Sequence, residues 1–199
     1  MTGQFFSKRG YTLNKDIRLL AAAFSAMAAA PLAHAGDFQI SGGGEYIFDS
    51  NDTELNFTAV TGRAAYFFNE NLGIEGEGTF GTSGAKNYDN SGLNFELKSQ
   101  FGGYAVGRLP VGEHGEMFGR LGFRAGTIDV TGDFFGPVSE SVDYNGISAG
   151  LGYSHFFNDS VGVRAEFTTS GASLDNNFSP DGNLTGVSVS LVMKLGGKS

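Results

Sequence analysis

Two kinds of residue in this sequence could do chemistry. The first is a set of charges at close, even spacings: Glu75 and Glu77, Arg120 and Arg124, Arg164 and Glu166. On a β-strand, residues two or four apart share a face, so each set would point to one side of a sheet. Opposite charges gathered on one side can form a salt-bridged plug or gate a small pore. They can also simply neutralise one another where burial would otherwise strand a charge. The second kind is histidine. His155 is a candidate base, but two positions on, where a His-x-Ser pair would place its nucleophile, stands Phe157. His114 sits in a turn-like segment far from His155, and the pair offers no metal constellation. Gly76-Glu77-Gly78-Thr79-Phe80-Gly81 matches a dinucleotide glycine pattern, yet a strand contains it and a loop follows it, where a helix is required. Gly196-Gly197-Lys198-Ser199 resembles the end of a phosphate loop with no helix after it. No cofactor and no metal is expected.

What positions the charges is period-two alternation. Over 146–157, Ile147, Ala149, Leu151, Tyr153 and Phe157 take one parity, while Ser148, Gly150, Gly152 and Ser154 take the other. After Asn158-Asp159-Ser160, Val161, Val163, Ala165 and Phe167 alternate with Gly162, Arg164 and Glu166. Two alternating runs with a three-residue break predict a hairpin. The same pattern predicts eight strands, over 38–48, 55–68, 72–80, 93–109, 117–128, 146–157, 161–169 and 184–195. Across all of them the charges share the face opposite the apolar residues. That face holds Glu45, Arg63, Glu75, Glu77, Glu96, Lys98, Arg108, Arg120, Arg124, Arg164, Glu166 and Lys194.

Two architectures fit such a pattern. In a soluble secreted β-sandwich the apolar face points in and the charges are solvated. In a membrane barrel the pattern is turned inside out. Several features favour the barrel. Most strands reach the roughly 9–11 residues that a membrane crossing needs. An even number of strands closes an antiparallel barrel. Connections alternate between short (69–71, 110–116, 158–160) and mostly long (49–54, 81–92, 129–143, 170–183), as in barrels with short periplasmic turns and longer external loops. Tyr46, Tyr66, Phe68, Tyr153 and Phe157 lie near strand ends, where a lipid-facing aromatic girdle would sit. The expected fold is therefore an eight-stranded antiparallel up-and-down transmembrane β-barrel. Its interior ion-pair network would be drawn from Glu45, Arg63, Glu75, Glu77, Glu96, Lys98, Arg120, Arg124, Arg164 and Glu166. In so narrow a barrel the many glycines make room for the side chains that fill it.

The N-terminus reads as a targeting segment. Lys8, Arg9, Lys15 and Arg18 precede an alanine-rich apolar run over 19–32, and Ala33-His34-Ala35 fits a small-x-small cleavage site. Residues 1–35 are thus expected to be a cleaved signal peptide and 36–199 the barrel domain. The segment carries four Lys/Arg and one Asp, a net +3, so its removal takes the formal charge from −8 to −11. Such a balance argues against nucleic acid as a partner. With no cysteine, disulfides and thiolate metal sites are excluded.

At this point the chain resembles the outer-membrane β-barrel superfamily that includes the transmembrane domain of outer membrane protein A, outer membrane protein X and opacity-type proteins. Gly150-Leu151-Gly152-Tyr153 through Phe157, Asn158, and the run from Val161 to Phe167 match its glycine/aromatic strand, short Asn-containing turn and inward Arg-x-Glu. The stretch from Ala65 to Gly73 repeats the turn pattern. The resemblance implies eight strands and an outer-membrane address; on that reading a monomer in a Gram-negative bacterium is expected, inserted by the barrel-insertion machinery and in contact with lipid and lipopolysaccharide. It does not imply one activity. Some eight-stranded barrels deacylate lipid A with a His-x-Ser motif and a glutamate, and Phe157 breaks that motif here. Family members usually end on an aromatic residue, whereas Leu195 would serve here, and no peptidoglycan-binding module is expected after the barrel. The expected role is structural or adhesive, with a small passive channel as the rival. External contact candidates are Asp129, Asp133, Phe134, Phe135 and Asp143, in a region where Asp and Glu far outnumber Lys86. They would serve a host or surface-protein ligand, or divalent bridging to lipopolysaccharide.

Overall fold

A computed structural model describes residues 37–49, 55–88, 93–133, 137–174 and 182–195. The expected signal peptide lies outside them. Nine strand segments are described: β1 (Asp37–Asp49), β2 (Asn56–Phe67), β3 (Leu72–Ser83), β4 (Ala85–Tyr88), β5 (Leu93–Val111), β6 (Gly115–Asp133), β7 (Pro137–Phe156), β8 (Val161–Leu174) and β9 (Gly182–Leu195). β4 continues β3 past Gly84, and both pair with β5. The segments therefore form eight staves. Each is antiparallel to the next, and β1 pairs with β9 to close the ring. Among the described residues, the band in which all eight staves pair has no open edge, which a strand needs if it is to cross hydrocarbon without orphaned backbone groups.

The short turns lie at one end. Asn69 caps its own turn, its Oδ1 accepting from the backbone N–H groups of Asn71 at 2.9 Å and Leu72 at 2.8 Å. Asn158 does the same for Ser160 and Val161, both at 2.9 Å. These are side-chain turns of the kind Asn favours. The third short turn uses Gly112 at φ 67°, a left-handed conformation that glycine adopts without strain.

Alternation sorts the wall as expected. Ile40, Leu121, Phe123, Ile147, Leu151, Phe167, Val189 and Leu191 are exposed on the outside, while Arg124 and Arg164 are among the largest fully buried side chains. This is inside-out relative to a soluble protein and fits a surface solvated by lipid. The strands are unequal, however. β5, β6 and β7 have 19, 19 and 20 residues, whereas β1, β2, β3, β8 and β9 have 12 to 14. Along β6 the outward residues are apolar from Met117 to Ala125 and then become Thr127, Asp129 and Thr131. Lys98 on β5 and Asp143 on β7 mark the same change. The three long strands thus continue past the apolar band as a polar sheet.

This corrects the expected loop over 129–143. Asp129 and Asp143 lie on strands, facing outward, where Asp129 Oδ1 accepts from Ser141 Oγ at 2.5 Å and Asp143 Oδ1 from Thr127 Oγ1 at 2.7 Å. Asp133 ends β6. Phe134 and Phe135 lie outside the described residues. A strand that stands in water needs no apolar face on its outer side, so its Thr, Ser and Asp residues read as loop. The expected loops over 81–92 and 170–183 shrink for the same reason, by β4, the end of β8 and the start of β9.

Candidate functional site: the barrel lumen

The lumen is built in layers. β1, β2, β3, β6 and β8 place Glu45, Arg63, Glu75, Glu77, Arg120, Arg124, Arg164 and Glu166 inward, all buried. Four guanidiniums meet four carboxylates. Arg120 is the hub, with Nη1 donating to Glu75 Oε1 at 2.8 Å, Nη2 2.7 Å from Glu77 Oε2, and Nε against Glu166. Arg63 Nε donates to Glu77 Oε2 at 2.8 Å, and its Nη2 lies 3.5 Å from Glu166 Oε2. Arg124 Nη2 donates to Glu77 Oε1 at 2.9 Å and to Glu45 Oε1 at 3.4 Å. Arg164 Nη1 donates to Glu75 Oε2 at 3.1 Å and its Nη2 to Gln39 Oε1 at 3.0 Å. Bringing these charges out of water is costly, and it is offset only because every one has an opposite partner at contact distance.

Neutral groups complete the cluster. Tyr104 Oη donates to Glu77 Oε1 at 3.2 Å and accepts from Arg124 Nε at 3.2 Å. Its ring carries the Arg120 guanidinium 4.1 Å above it, and Phe118 carries that of Arg164 at 4.3 Å. Inward glycines give this layer its room. A Cβ on Gly102 would stand 2.6 Å from Tyr104 Oη, and one on Gly150 3.0 Å from Arg120 Nε. The small face that looked odd in the sequence is the space that larger neighbours fill.

Below, at the end with the short turns, a second charged group links Asp37, Arg108, Glu116 and Lys194. Arg108 Nη1 donates to Asp37 Oδ2 at 2.6 Å and to Glu116 Oε2 at 3.4 Å, and Lys194 Nζ lies 3.8 Å from the same Glu116 oxygen. Arg108 and Lys194 also cover the rings of Phe67 and Phe156, at 3.7 and 3.8 Å. Above the central layer, toward the outer end, the lumen turns apolar. Ile47, Phe57, Ala59, Leu97, Tyr144 and Leu184 pack together, with Leu55, Phe95 and Ile128 against them. Tyr144 Oη donates to Gln100 Oε1 beneath.

Two expected members of the network are elsewhere. Glu96 and Lys98 are exposed on the outer wall, and Lys98 Nζ lies 3.4 Å from Asp129. The cause is a bulge in β5. Leu97 pairs with Ile128 but Ser99 with Thr127, so Lys98 is an extra residue and parity inverts there. The inversion also turns Phe95 and Leu97, expected to face lipid, into the apolar cap. Glu116 was expected in a turn and instead faces the lumen from β6. The apolar cap as a whole had no signal in the alternation.

On the outside, Tyr46, Tyr153 and Phe157 are exposed and Tyr66 is half-buried. The rings of Tyr46 and Phe48 are 5.9 Å apart and those of Tyr66 and Phe68 5.5 Å apart. His155 also stands on the outer wall, its ring centroid 6.4 Å from that of His114 and 5.8 Å from that of Phe157. The Gly76–Gly81 stretch is a strand paired on both sides, with no helix following. Among the described residues, no group of three His, Asp or Glu could hold a metal ion.

Residues 18–192 match the outer membrane protein beta-barrel domain. The chain belongs to that family. The solved structures to which it is similar agree on the fold. The attachment invasion locus protein Ail of Yersinia pestis, solved in complex with the heparin analogue sucrose octasulfate, shares 17% identity over 81% of this chain and 100% of Ail, with a TM-score of 0.58. Neisserial surface protein A shares 15% identity over 81% of this chain and 98% of its own, at 0.54. OprG from Pseudomonas aeruginosa shares 14% over 82% and 97%, at 0.53. No curated protein matches the chain in sequence. At these identities the likeness carries the closed eight-stave barrel fold and no ligand.

Proposed function

We propose that the protein is a monomeric, non-catalytic and non-conducting barrel of the Gram-negative outer membrane, delivered there by a cleaved signal peptide and the barrel-insertion machinery. It acts as a rigid support for surface contacts made at its outer end. The observation that carries this is Arg120 held by Glu75, Glu77 and Glu166 at once, across the middle of the lumen. An eight-stranded barrel is only wide enough for side chains to fill, and here they fill it as a charge-balanced block beneath an apolar cap.

The outer end sets the kind of partner. Among the described residues its strand ends carry Asp49, Asp129, Asp133, Glu140 and Asp143. Ail was solved with a polyanion. Like charge disfavours such a ligand here and favours a cationic surface, or anionic lipopolysaccharide bridged by divalent ions. Liposome swelling tests the sealed lumen. Vesicles holding the folded protein should take up arabinose no faster than empty vesicles, and sugar influx through the wild-type protein would sink the proposal in favour of a passive channel.

A further inference from the structure

The charged group at the short-turn end is paired on only half of its acid oxygens. Arg108 Nη1 meets Asp37 Oδ2 at 2.6 Å and Glu116 Oε2 at 3.4 Å, so the two carboxylates close on a single nitrogen. Arg108 Nε is taken by Glu70 O at 2.8 Å. Lys194 Nζ adds a 3.8 Å approach to the same Glu116 Oε2. The other two oxygens, Asp37 Oδ1 and Glu116 Oε1, are buried without a hydrogen-bond partner among the described residues. Glu116 as a whole is 4% exposed. Buried polar atoms are almost always hydrogen-bonded, so these oxygens call for a donor.

We propose that this donor is the chain's own α-ammonium, set free at Gly36 when the signal peptide is cleaved. The inference rests on the cleavage proposed above. Gly36 directly precedes Asp37 in the sequence. Asp37 is fixed in register against Phe67 of β2, and Phe38 pairs with Leu195 of β9. A nitrogen one residue before a strand so fixed has little freedom to lose, and its effective concentration at Asp37 is high. Its chemistry suits the gap as well. An ammonium is compact and carries three donors, enough to bridge oxygens on two carboxylates, whereas the flat fork of a guanidinium suits both oxygens of one. Before cleavage the same nitrogen is a neutral amide with a single N–H. Cleavage thus adds a third cation to Arg108 and Lys194. Lys194, with its side chain 29% exposed, is the one free to turn to water. Removal of the signal peptide in this way locks the short-turn end of the lumen, and only the mature chain holds the lock.

Acylation of the full chain tests this, on protein exported with its own signal peptide and extracted folded in mild detergent. Intact mass first reads the cleavage: a chain that does not begin at Gly36 overturns that reading, and this inference with it. Only the uncharged amine is acylated, and a neighbouring carboxylate favours the charged form by about tenfold or more. The Gly36 amine should therefore react with acetic anhydride about tenfold more slowly in the wild-type protein than in Glu116→Gln, with exposed Lys98 as the internal standard. Asp37→Asn should show the same direction. Equal rates in the wild type and both variants overturn the proposal and leave water as the donor. Lys194→Met separates pairing from loosening. It takes a competing cation from Glu116 and should leave Gly36 protected. Acylation as fast as in Glu116→Gln would mean that any loosening of the mouth exposes the amine, and would overturn the proposal too. Heat-modifiable migration shows which variants fold, and the rates are compared among those.

Discussion

Glu45 and Ile47 are successive inward positions of β1, and they belong to different worlds. Glu45 accepts from Arg124 in a layer of four arginines and four glutamates. Ile47 packs with Phe57, Leu97 and Leu184 in a layer without charge. Both layers occupy the lumen, but by different rules. The charged layer works by count, because each buried charge requires its partner and a single deletion leaves an excess. The apolar layer works by volume, and losses there are graded. The first is a condition for burying these strands at all, and the second adds a plug that tolerates variation.

The comparison breaks most clearly at its hub. Arg120→Leu would take from Glu75, Glu77 and Glu166 the arginine they share and leave the central layer with one carboxylate in excess, and removing one partner of a buried pair costs about 3–5 kcal/mol. Urea unfolding from vesicles, followed by heat-modifiable migration, should show a loss of that size. A change below about 1 kcal/mol would mean water already reaches the carboxylates. In the cap, Leu97→Ala should cost about 2–3 kcal/mol, the low end for such truncations, because its neighbours there are apolar side chains that can close over the gap. It should leave the charged layer intact, so the costs of the two variants should add in the double variant.

Smaller effects sharpen the boundary between the layers. Gly150→Ala places a methyl against Glu166 and Arg120 and should cost about 1–3 kcal/mol as overpacking. Lys98→Ala, despite its even spacing from Gln100 and Tyr104, should cost less than about 0.5 kcal/mol, since Lys98 is on the exposed outer wall. If Lys98→Ala destabilised the barrel as strongly as Arg120→Leu, the bulge at Leu97 would be misplaced.

How much of this was legible in the sequence follows from the same two rules. Period-two alternation marks which parity is polar, so the inward course of Glu45, Arg63, Glu75, Glu77, Arg120, Arg124, Arg164 and Glu166 could be read residue by residue. The pairing could not, because Arg120 reaches acids on β3 and β8 whose heights depend on register across several strands. The Lys98 bulge was invisible. Glu96-x-Lys98-x-Gln100 keeps a regular polar parity straight through it, and only the partner strand shows the extra residue. The cap was hidden for the same reason, since Phe95 and Leu97 look like lipid-facing residues until the parity inverts. Glu116 was lost to its neighbours, Gly112 to Gly115, which read as turn. The polar hairpin of β6 and β7 carries no apolar face on its outer side, so its composition resembles a loop.

The account's central claim is that the two layers together close the lumen. Planar-bilayer recording of the folded wild-type protein tests it most directly. The prediction is a trace without steps above the bare-lipid baseline. Stable single-channel steps from the wild-type barrel, altered by Arg120→Leu, would contradict it.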